Sequence, residues 1–180
     1  MGDAYKYAVV IGANKGIGFK TVKQLTNSGV TVVLTARDEN RGTEATSLLN
    51  EQGFSNVVFH QLDVQDAQSI ESLAKFVQTQ YGRLDILVNN AGASGVVPDE
   101  DVLRAMNMNL VDWNVTEALL PLLQNSPSPR IVNVLSRRDI SWHTGTMPVE
   151  EGAEGSVMLA LLPDGGPTGC YFDRTVLTEF

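Results

Sequence analysis

The sequence predicts an α/β fold in which parallel strands form one sheet that is covered by helices on both faces. Two observations lead to this fold class. Runs of β-branched and apolar residues alternate with segments of helical spacing through the first half of the chain. That alternation is typical of right-handed βαβ units and hence of a parallel sheet. With 180 residues, the chain is long enough for one domain with a buried core.

The first strand and the first helix are joined by a glycine-rich turn, Gly12-Ala13-Asn14-Lys15-Gly16-Ile17-Gly18. The apolar run Tyr7 to Ile11 precedes the turn, and helical spacing follows from Ile17 to Ser28. Glycines permit a tight turn and bring the backbone close to a pyrophosphate, which then faces the free N–H groups of the helix. A glycine triplet alone is equally typical of a plain turn, so its position between strand and helix carries the prediction of a dinucleotide site.

The other elements of the first half follow the same alternation. Strands are predicted at Val30 to Thr35, Asn56 to Leu62 and Leu84 to Val88, because each run is apolar or β-branched. Helices are predicted at Asn40 to Gln52 and from the N-cap Asp66 to the stop signal Gly82. The carboxyl ends of these strands are where open α/β sheets bind cofactors.

The second half of the chain is less regular. A helix is predicted at Thr116 to Leu123 and a fifth strand at Arg130 to Leu135. Farther along, we expect one helical turn at Val149 to Ala153, a helix at Val157 to Leu162 and a last short strand at Cys170 to Phe172. The last strand has no predicted neighbour, so it is expected to be displaced from the main sheet.

Composition restricts the classes of partner. The net charge of -8 argues against nucleic acid and anionic membranes, and no apolar run approaches the ~18 residues of a membrane span. Residues Met1 to Lys6 do not resemble a signal peptide. The single Cys170 excludes an internal disulfide, and with two histidines it predicts no metal site. A soluble cytoplasmic protein is therefore expected, and its oligomeric state stays open.

Four motifs at strand ends, in their order and spacing, resemble the short-chain dehydrogenase/reductase superfamily. They are the glycine turn, Leu62-Asp63-Val64, Asn89-Asn90-Ala91-Gly92 and the strand Ile131 to Ser136. The glycine turn and the segment Leu161 to Pro167 look like the branch of plant neomenthol dehydrogenases, isopiperitenone reductases and salutaridine reductases, to which animal carbonyl reductases are related. The resemblance implies a Rossmann-like doubly wound sheet of five core strands. It also implies hydride transfer between NADPH and a small carbonyl compound, for example a terpenoid.

The resemblance assigns cofactor contacts residue by residue. The glycine turn would hold the pyrophosphate, Asp63 would accept a hydrogen bond from the adenine amino group, and the Val64 backbone would lie beside it. The asparagine motif would line the adenosine and ribose side. The cofactor-binding residues expected on this basis are Gly12, Asn14, Lys15, Gly16, Ile17, Gly18, Arg37, Asp63, Val64, Asn90, Ala91 and Gly92.

The residues after the second strand favour NADPH over NADH. Lys15 and Arg37 are cationic where the resemblance places the 2′-phosphate. A site that prefers NAD usually has a carboxylate at the end of this strand, whereas here Ala36 and Arg37 come first. Asp38 leaves the alternative open, since a carboxylate one residue further along would weaken the preference.

The catalytic half departs from the family pattern. The family uses a Tyr as general acid, a Lys four residues later that lowers its pKa, and a Ser that hydrogen-bonds the substrate carbonyl. Ser136 occupies the position of that Ser, but no lysine follows Lys75 and no tyrosine has a lysine four residues later. We therefore expect internal deletions, with a cofactor half at residues 1–95 and a shortened catalytic half at residues 96–180. Two functions stay open: an impaired NADPH-dependent carbonyl reductase, and an inactive NADPH-binding or partner-binding isoform.

Overall fold

A computed structural model describes residues 5–90, 109–134, 148–167, 169–173 and 175–178. Its main sheet consists of β1 (Tyr7–Val10), β2 (Thr31–Ala36), β3 (Val57–Gln61), β4 (Ile86–Asn89) and β5 (Arg130–Asn133). All neighbouring pairs are parallel, in the order β3-β2-β1-β4-β5. The helices in these ranges are α1 (Gly16–Asn27), α2 (Glu39–Glu51), α3 (Ala67–Tyr81), α4 (Asn109–Gln124) and α5 (Val149–Ala160). The predicted α/β fold is confirmed.

Alternate side chains of β1 and of Ile11, the residue after it, enter two separate hydrophobic clusters, one on each face of the sheet. Ala8 and Val10 pack with residues of α1, α2 and α5, whereas Val9 and Ile11 pack with residues of α3 and α4. Successive side chains of a strand point to opposite faces, so a strand that is apolar throughout is buried on both sides. All four of these side chains are at most 1% exposed. The β1 strand is therefore the centre of both layers.

Two helices begin at aspartate N-caps, of which the sequence predicts Asp66 but not Asp38. Asp66 caps α3 by accepting a hydrogen bond from the Gln68 N–H at 3.0 Å. Asp38 caps α2 by accepting a hydrogen bond from the Arg41 N–H at 3.0 Å. An acidic cap satisfies a free N–H group and lies favourably at the positive end of the helix dipole.

The helices of the second half are longer than the sequence predicts. The α4 helix begins at Asn109 rather than Thr116, and α5 is one continuous helix where a single turn and a separate helix were expected. Gly152 and Gly155 weaken the helical pattern of this segment, because glycine has low helix propensity. Gly155 is nevertheless buried, and α5 packs against α1, β4 and β5. Tertiary packing thus overrides local propensity.

The last strand forms a hairpin outside the main sheet. Residues Tyr171–Asp173 (β6) pair in antiparallel fashion with Val176–Thr178 (β7). The expected displacement of the last strand is confirmed, whereas β7 was not predicted. Three residues are too few to show a period, and the exposed Val176 and Leu177 give no burial pattern.

The fifth strand leaves apolar side chains exposed. Within the described ranges, β5 pairs with β4 on one side only. Ile131 is in register with the buried Leu87, on the face covered by α3 and α4, and yet it is 44% exposed. Leu120 of α4 is 42% exposed. Apolar side chains of β5 and α4 are therefore exposed among the described residues.

Candidate cofactor site

The glycine turn is attached to three strands at their carboxyl ends. The Ile11 N–H donates to the Val88 carbonyl at 2.9 Å, and the Ala13 N–H donates to the Thr35 carbonyl at 2.8 Å. The buried Thr35 hydroxyl donates to the Val10 carbonyl at 3.1 Å. These bonds hold the turn over the sheet edge where α/β folds bind ligands.

The turn requires glycine at two kinds of position. Gly12 and Gly16 have φ angles of 65° and 61°, in the left-handed region that favours glycine. Gly18 has no room for a side chain, since a Cβ there would lie 2.4 Å from Asn90 Nδ2 and 2.7 Å from the Gly12 carbonyl oxygen. The first helical turn therefore packs directly against the backbone of the glycine turn.

Asn90 connects the asparagine motif to the glycine turn. Its side-chain amide donates to the carbonyl oxygens of Ile11 at 3.3 Å and Gly12 at 3.1 Å. The structure therefore brings these two motifs together, although they are far apart in the sequence. Ala91 and Gly92 lie outside the described residues.

The N-terminus of α1 has no capping side chain. Lys15 is the N-cap residue, its side chain makes no capping hydrogen bond, and the first turn contains no acidic residue. Lys15 and Gly16 are exposed, and Asn14 and Ile17 are half-buried. The α2 and α3 helices have aspartate caps, so α1 stands apart from them in keeping its N–H groups and positive dipole end available to an anion.

Asp63 lies just after β3 and is held by local hydrogen bonds. Its N–H donates to the Ser69 hydroxyl at 2.9 Å, and its carboxylate accepts from the Gln65 N–H at 3.0 Å. The neighbouring Val64 is half-buried and packs against the cluster of α3 and α4. Sequence reasoning missed the contact of Ser69 with Asp63, because the local pattern shows only that Ser69 lies near the start of a helix.

Arg37 and Asp38 follow β2 and have different environments. The Arg37 side chain is exposed, and its carbonyl accepts a hydrogen bond from the Gln61 side-chain amide at 3.2 Å. The Asp38 carboxylate caps α2. Sequence reasoning missed Gln61 as well, because nothing in the local pattern shows that its side chain reaches Arg37, just after β2.

The catalytic side of the site is only partly described. Ser136 lies outside the described residues. At the carboxyl end of β4, the buried Asn89 side chain donates to Asn133 Oδ1 at 2.8 Å and Thr116 Oγ1 at 3.2 Å, which joins β4 to β5 and α4. The Asn89 Oδ1 atom has no hydrogen-bond partner within the described part of the chain.

Metal ligands and membrane spans were also sought. In the described ranges, no three His, Cys, Asp or Glu side chains gather as metal ligands would. No helix there combines the length and hydropathy needed to cross a membrane.

Comparison with known proteins decides the family. The sequence model described as short chain dehydrogenase matches residues 6–145, which is more than half of the chain. The chain belongs to the short-chain dehydrogenase family. It is 32% identical to a (+)-neomenthol dehydrogenase of Arabidopsis thaliana over 290 residues, with 97% of this chain and 98% of the relative covered. A 290-residue match exceeds the 180 residues of this chain and so requires internal gaps, which fits the expected deletions.

Two other relatives of this short-chain dehydrogenase match only in part. It is 44% identical to a salutaridine reductase of Papaver bracteatum and 46% identical to carbonyl reductase [NADPH] 1 of Bos taurus. Both matches cover 72% of this chain, but 53% and 48% of the respective relatives. The chain therefore spans about half the length of these two relatives.

Solved structures give the same fold. Menthone neomenthol reductase from Mentha piperita superposes with a TM-score of 0.79 at 31% identity, covering 96% of this chain and 99% of that one. A metagenomic short-chain oxidoreductase in complex with NADP superposes with a TM-score of 0.61 at 28% identity, covering 73% of this chain and 62% of that one. The predicted Rossmann-like sheet and the predicted superfamily are thus confirmed.

Proposed function

We propose that this chain binds NADP(H) at the turn between β1 and α1 and is an oxidoreductase of the carbonyl reductase type. The observation that carries the proposal is the N-terminus of α1, which has no capping side chain. It follows the glycine turn, and the position of Gly18 leaves no room for a side chain. A pyrophosphate satisfies free N–H groups at a helix N-terminus and is attracted by the helix dipole. Lys15, exposed at the N-cap, adds a cation beside it.

The adenosine end of the cofactor is proposed to lie across the carboxyl ends of β2, β3 and β4. Arg37 would bind the 2′-phosphate, which NADPH has and NADH lacks. The Asp38 carboxylate already accepts the Arg41 N–H as a helix cap, which supports a preference for NADPH. Asp63 and Asn90 would contact adenine and ribose. The name of the bovine carbonyl reductase and the NADP-bound structural neighbour support the same cofactor.

The proposed reaction is reduction of a small ketone or aldehyde to an alcohol. The bound cofactor supplies a hydride to the carbonyl carbon. Ser136 would hydrogen-bond the carbonyl oxygen, but the chain has no Tyr with a Lys four residues later to protonate it. A missing general acid typically costs about 10²- to 10⁴-fold in rate, so we expect slow turnover.

A second candidate is an inactive NADPH-binding or partner-binding isoform. The absence of the Tyr and Lys favours it for intrinsic activity. It shares the cofactor site and differs only in turnover. Carbonyl reduction with a defined product configuration and a normal pH optimum would exclude it. A cytoplasmic location stays a prediction from the composition.

Thermal unfolding with and without NADPH and NADH tests the proposed cofactor site. A ligand at about 100 times its dissociation constant stabilises the folded state by roughly 2.7 kcal/mol. We expect NADPH to raise the unfolding midpoint more than NADH does. A cooperative transition that neither nucleotide shifts would contradict the proposal. If NADPH does raise the midpoint, a steady-state assay of NADPH oxidation with an aldehyde tests the proposed reaction.

A further inference from the structure

Four residues at the ends of β2 and β3 form one chain of hydrogen bonds. The Gln61 side-chain amide donates to the Arg37 carbonyl at 3.2 Å, and the Ser69 hydroxyl donates to Gln61 Oε1 at 3.0 Å. The same Ser69 oxygen accepts the Asp63 N–H at 2.9 Å. Ser69 is 8% exposed, and both of its hydrogen bonds are partly buried. The chain of bonds thus runs from Arg37 through Gln61 and Ser69 to Asp63.

We propose that Gln61 and Ser69 are positioning residues for the adenosine end of the cofactor, and that Gln61 sets the preference for NADPH by holding Arg37. This inference rests on the proposed function. Neither residue needs to touch the cofactor, since each acts through the backbone of a residue that does.

The sheet register explains why Gln61 has this role. Ala36 is in register with Gln61, and the Leu62 N–H donates to the Ala36 carbonyl at 2.9 Å. Arg37 therefore comes one residue after β2 ends, where the parallel ladder no longer holds it. The Gln61 side chain supplies the next bond between the strands. This bond fixes the backbone of Arg37 and therefore the point from which the long, exposed Arg37 side chain extends.

Ser69 has a broader role, because it contacts Asp63 as well as Gln61. It belongs to α3 and accepts the N–H of Asp63, the residue proposed to bind the adenine amino group. NADPH and NADH share the adenine and differ only in the 2′-phosphate. Loss of the Ser69 hydroxyl is therefore expected to weaken both nucleotides, and NADPH somewhat more, because Ser69 also donates to Gln61. Loss of the Gln61 amide is expected to weaken NADPH selectively.

Isothermal titration of NADPH and NADH into Gln61→Met and Ser69→Ala variants tests this division. A lost hydrogen bond of ordinary strength corresponds to about a 3- to 10-fold change in Kd. We expect Gln61→Met to raise the Kd for NADPH by that factor and to leave that for NADH nearly unchanged. We expect Ser69→Ala to raise both. The exposed Ser72 of the same helix provides the matched control, Ser72→Ala.

A double-mutant cycle separates positioning from a general structural role. In an Arg37→Ala background no guanidinium remains to be positioned, so Gln61→Met is expected to have no further effect on NADPH affinity. If Gln61→Met lowers NADPH affinity equally with and without Arg37, or lowers that for NADH equally, the inference is wrong. Gln61→Asn, whose amide is one methylene too short, repeats the test should Gln61→Met not fold.

The outcomes also separate this inference from the proposed function. A wild-type chain that binds neither nucleotide contradicts both. A wild-type chain that prefers NADPH, with the same preference in Gln61→Met, supports the cofactor site and overturns only the role of Gln61.

Discussion

At the scale of single residues, Gly18 determines how closely α1 approaches the glycine turn. Its missing side chain leaves room for the Asn90 amide, which donates to the carbonyl oxygens of Ile11 and Gly12. A methyl group at this position overlaps both Asn90 and the backbone of Gly12. The amide can rotate away, but the backbone oxygen cannot, so the turn itself must shift.

We expect Gly18→Ala to destabilise the protein by about 1–3 kcal/mol, as overpacking does, and to weaken NADPH binding. Gly29→Ala at the other end of α1 is the matched control. Gly29 has φ of 83° and open space around it, so a Cβ there costs about 1–2 kcal/mol through the backbone alone. Urea denaturation gives the stabilities, and titration gives the affinities. Equal NADPH affinity in the two variants would refute the role of Gly18.

At the scale of elements, the end of the sheet opposite the site is held by contacts between α3, β1 and the start of β4. The Tyr7 and Tyr81 rings stack with centroids 4.5 Å apart. The buried Asp85 carboxylate accepts the Tyr7 N–H at 2.9 Å, the Ser126 hydroxyl at 2.6 Å and Arg83 Nε at 3.3 Å. Because these contacts lie at the amino ends of the strands, they stabilise the sheet without entering the proposed cofactor site.

Tyr81 makes stability sensitive to alkaline pH. Burial, and after it the neighbouring Tyr7, raises the pKa of Tyr81 above its usual value of about 10. The unfolded chain then ionises first, so the contribution of Tyr81 to stability is complete below pH 10 and is lost as pH rises through the folded-state pKa.

We therefore expect the unfolding midpoint to fall less steeply above pH 10 in Tyr81→Phe than in the wild type. Melts at a series of pH values measure the slope. Tyr5, 74% exposed, provides the control variant Tyr5→Phe. A Tyr81→Phe slope equal to that of the wild type would show that the ionisation of Tyr81 does not limit alkaline stability.

At the scale of the whole molecule, the described helices cover the two faces of the sheet unequally at β5. The face of α1, α2 and α5 includes the buried Val132 of β5, whereas Ile131 on the opposite face is 44% exposed. The outer edge of β5 has no partner among the described residues, and an exposed apolar residue on such a strand favours association between chains.

We expect Ile131→Lys to reduce self-association severalfold, measured by light scattering across a concentration series. The control is Val58→Lys on β3, the other edge strand, where Val58 is 37% exposed. Each change adds one positive charge to a chain of net charge -8, which by itself favours association. An equal decrease of self-association in both variants would therefore show that the exposed Ile131 side chain is not its specific cause.

The sequence predicts much of the fold because the relevant signals are local. Apolar runs identify the five strands, and Asp66 and Gly82 bound α3 within a residue. The glycine turn was predicted from its position between strand and helix. The limits of α4 and α5 were wrong, because those helices depend on burial against other elements that a local pattern does not show.

The sequence by itself determined the order of strands and helices, the glycine turn and the family motifs. Only the tertiary structure decided which side chains meet at the site. Asn90 reaches Gly12 because β1 and β4 are neighbours, and Gln61 reaches Arg37 because β2 and β3 are in register. Each contact joins residues far apart in the chain, so strand pairing and register decide it, whereas the local pattern that marks each element does not contain it.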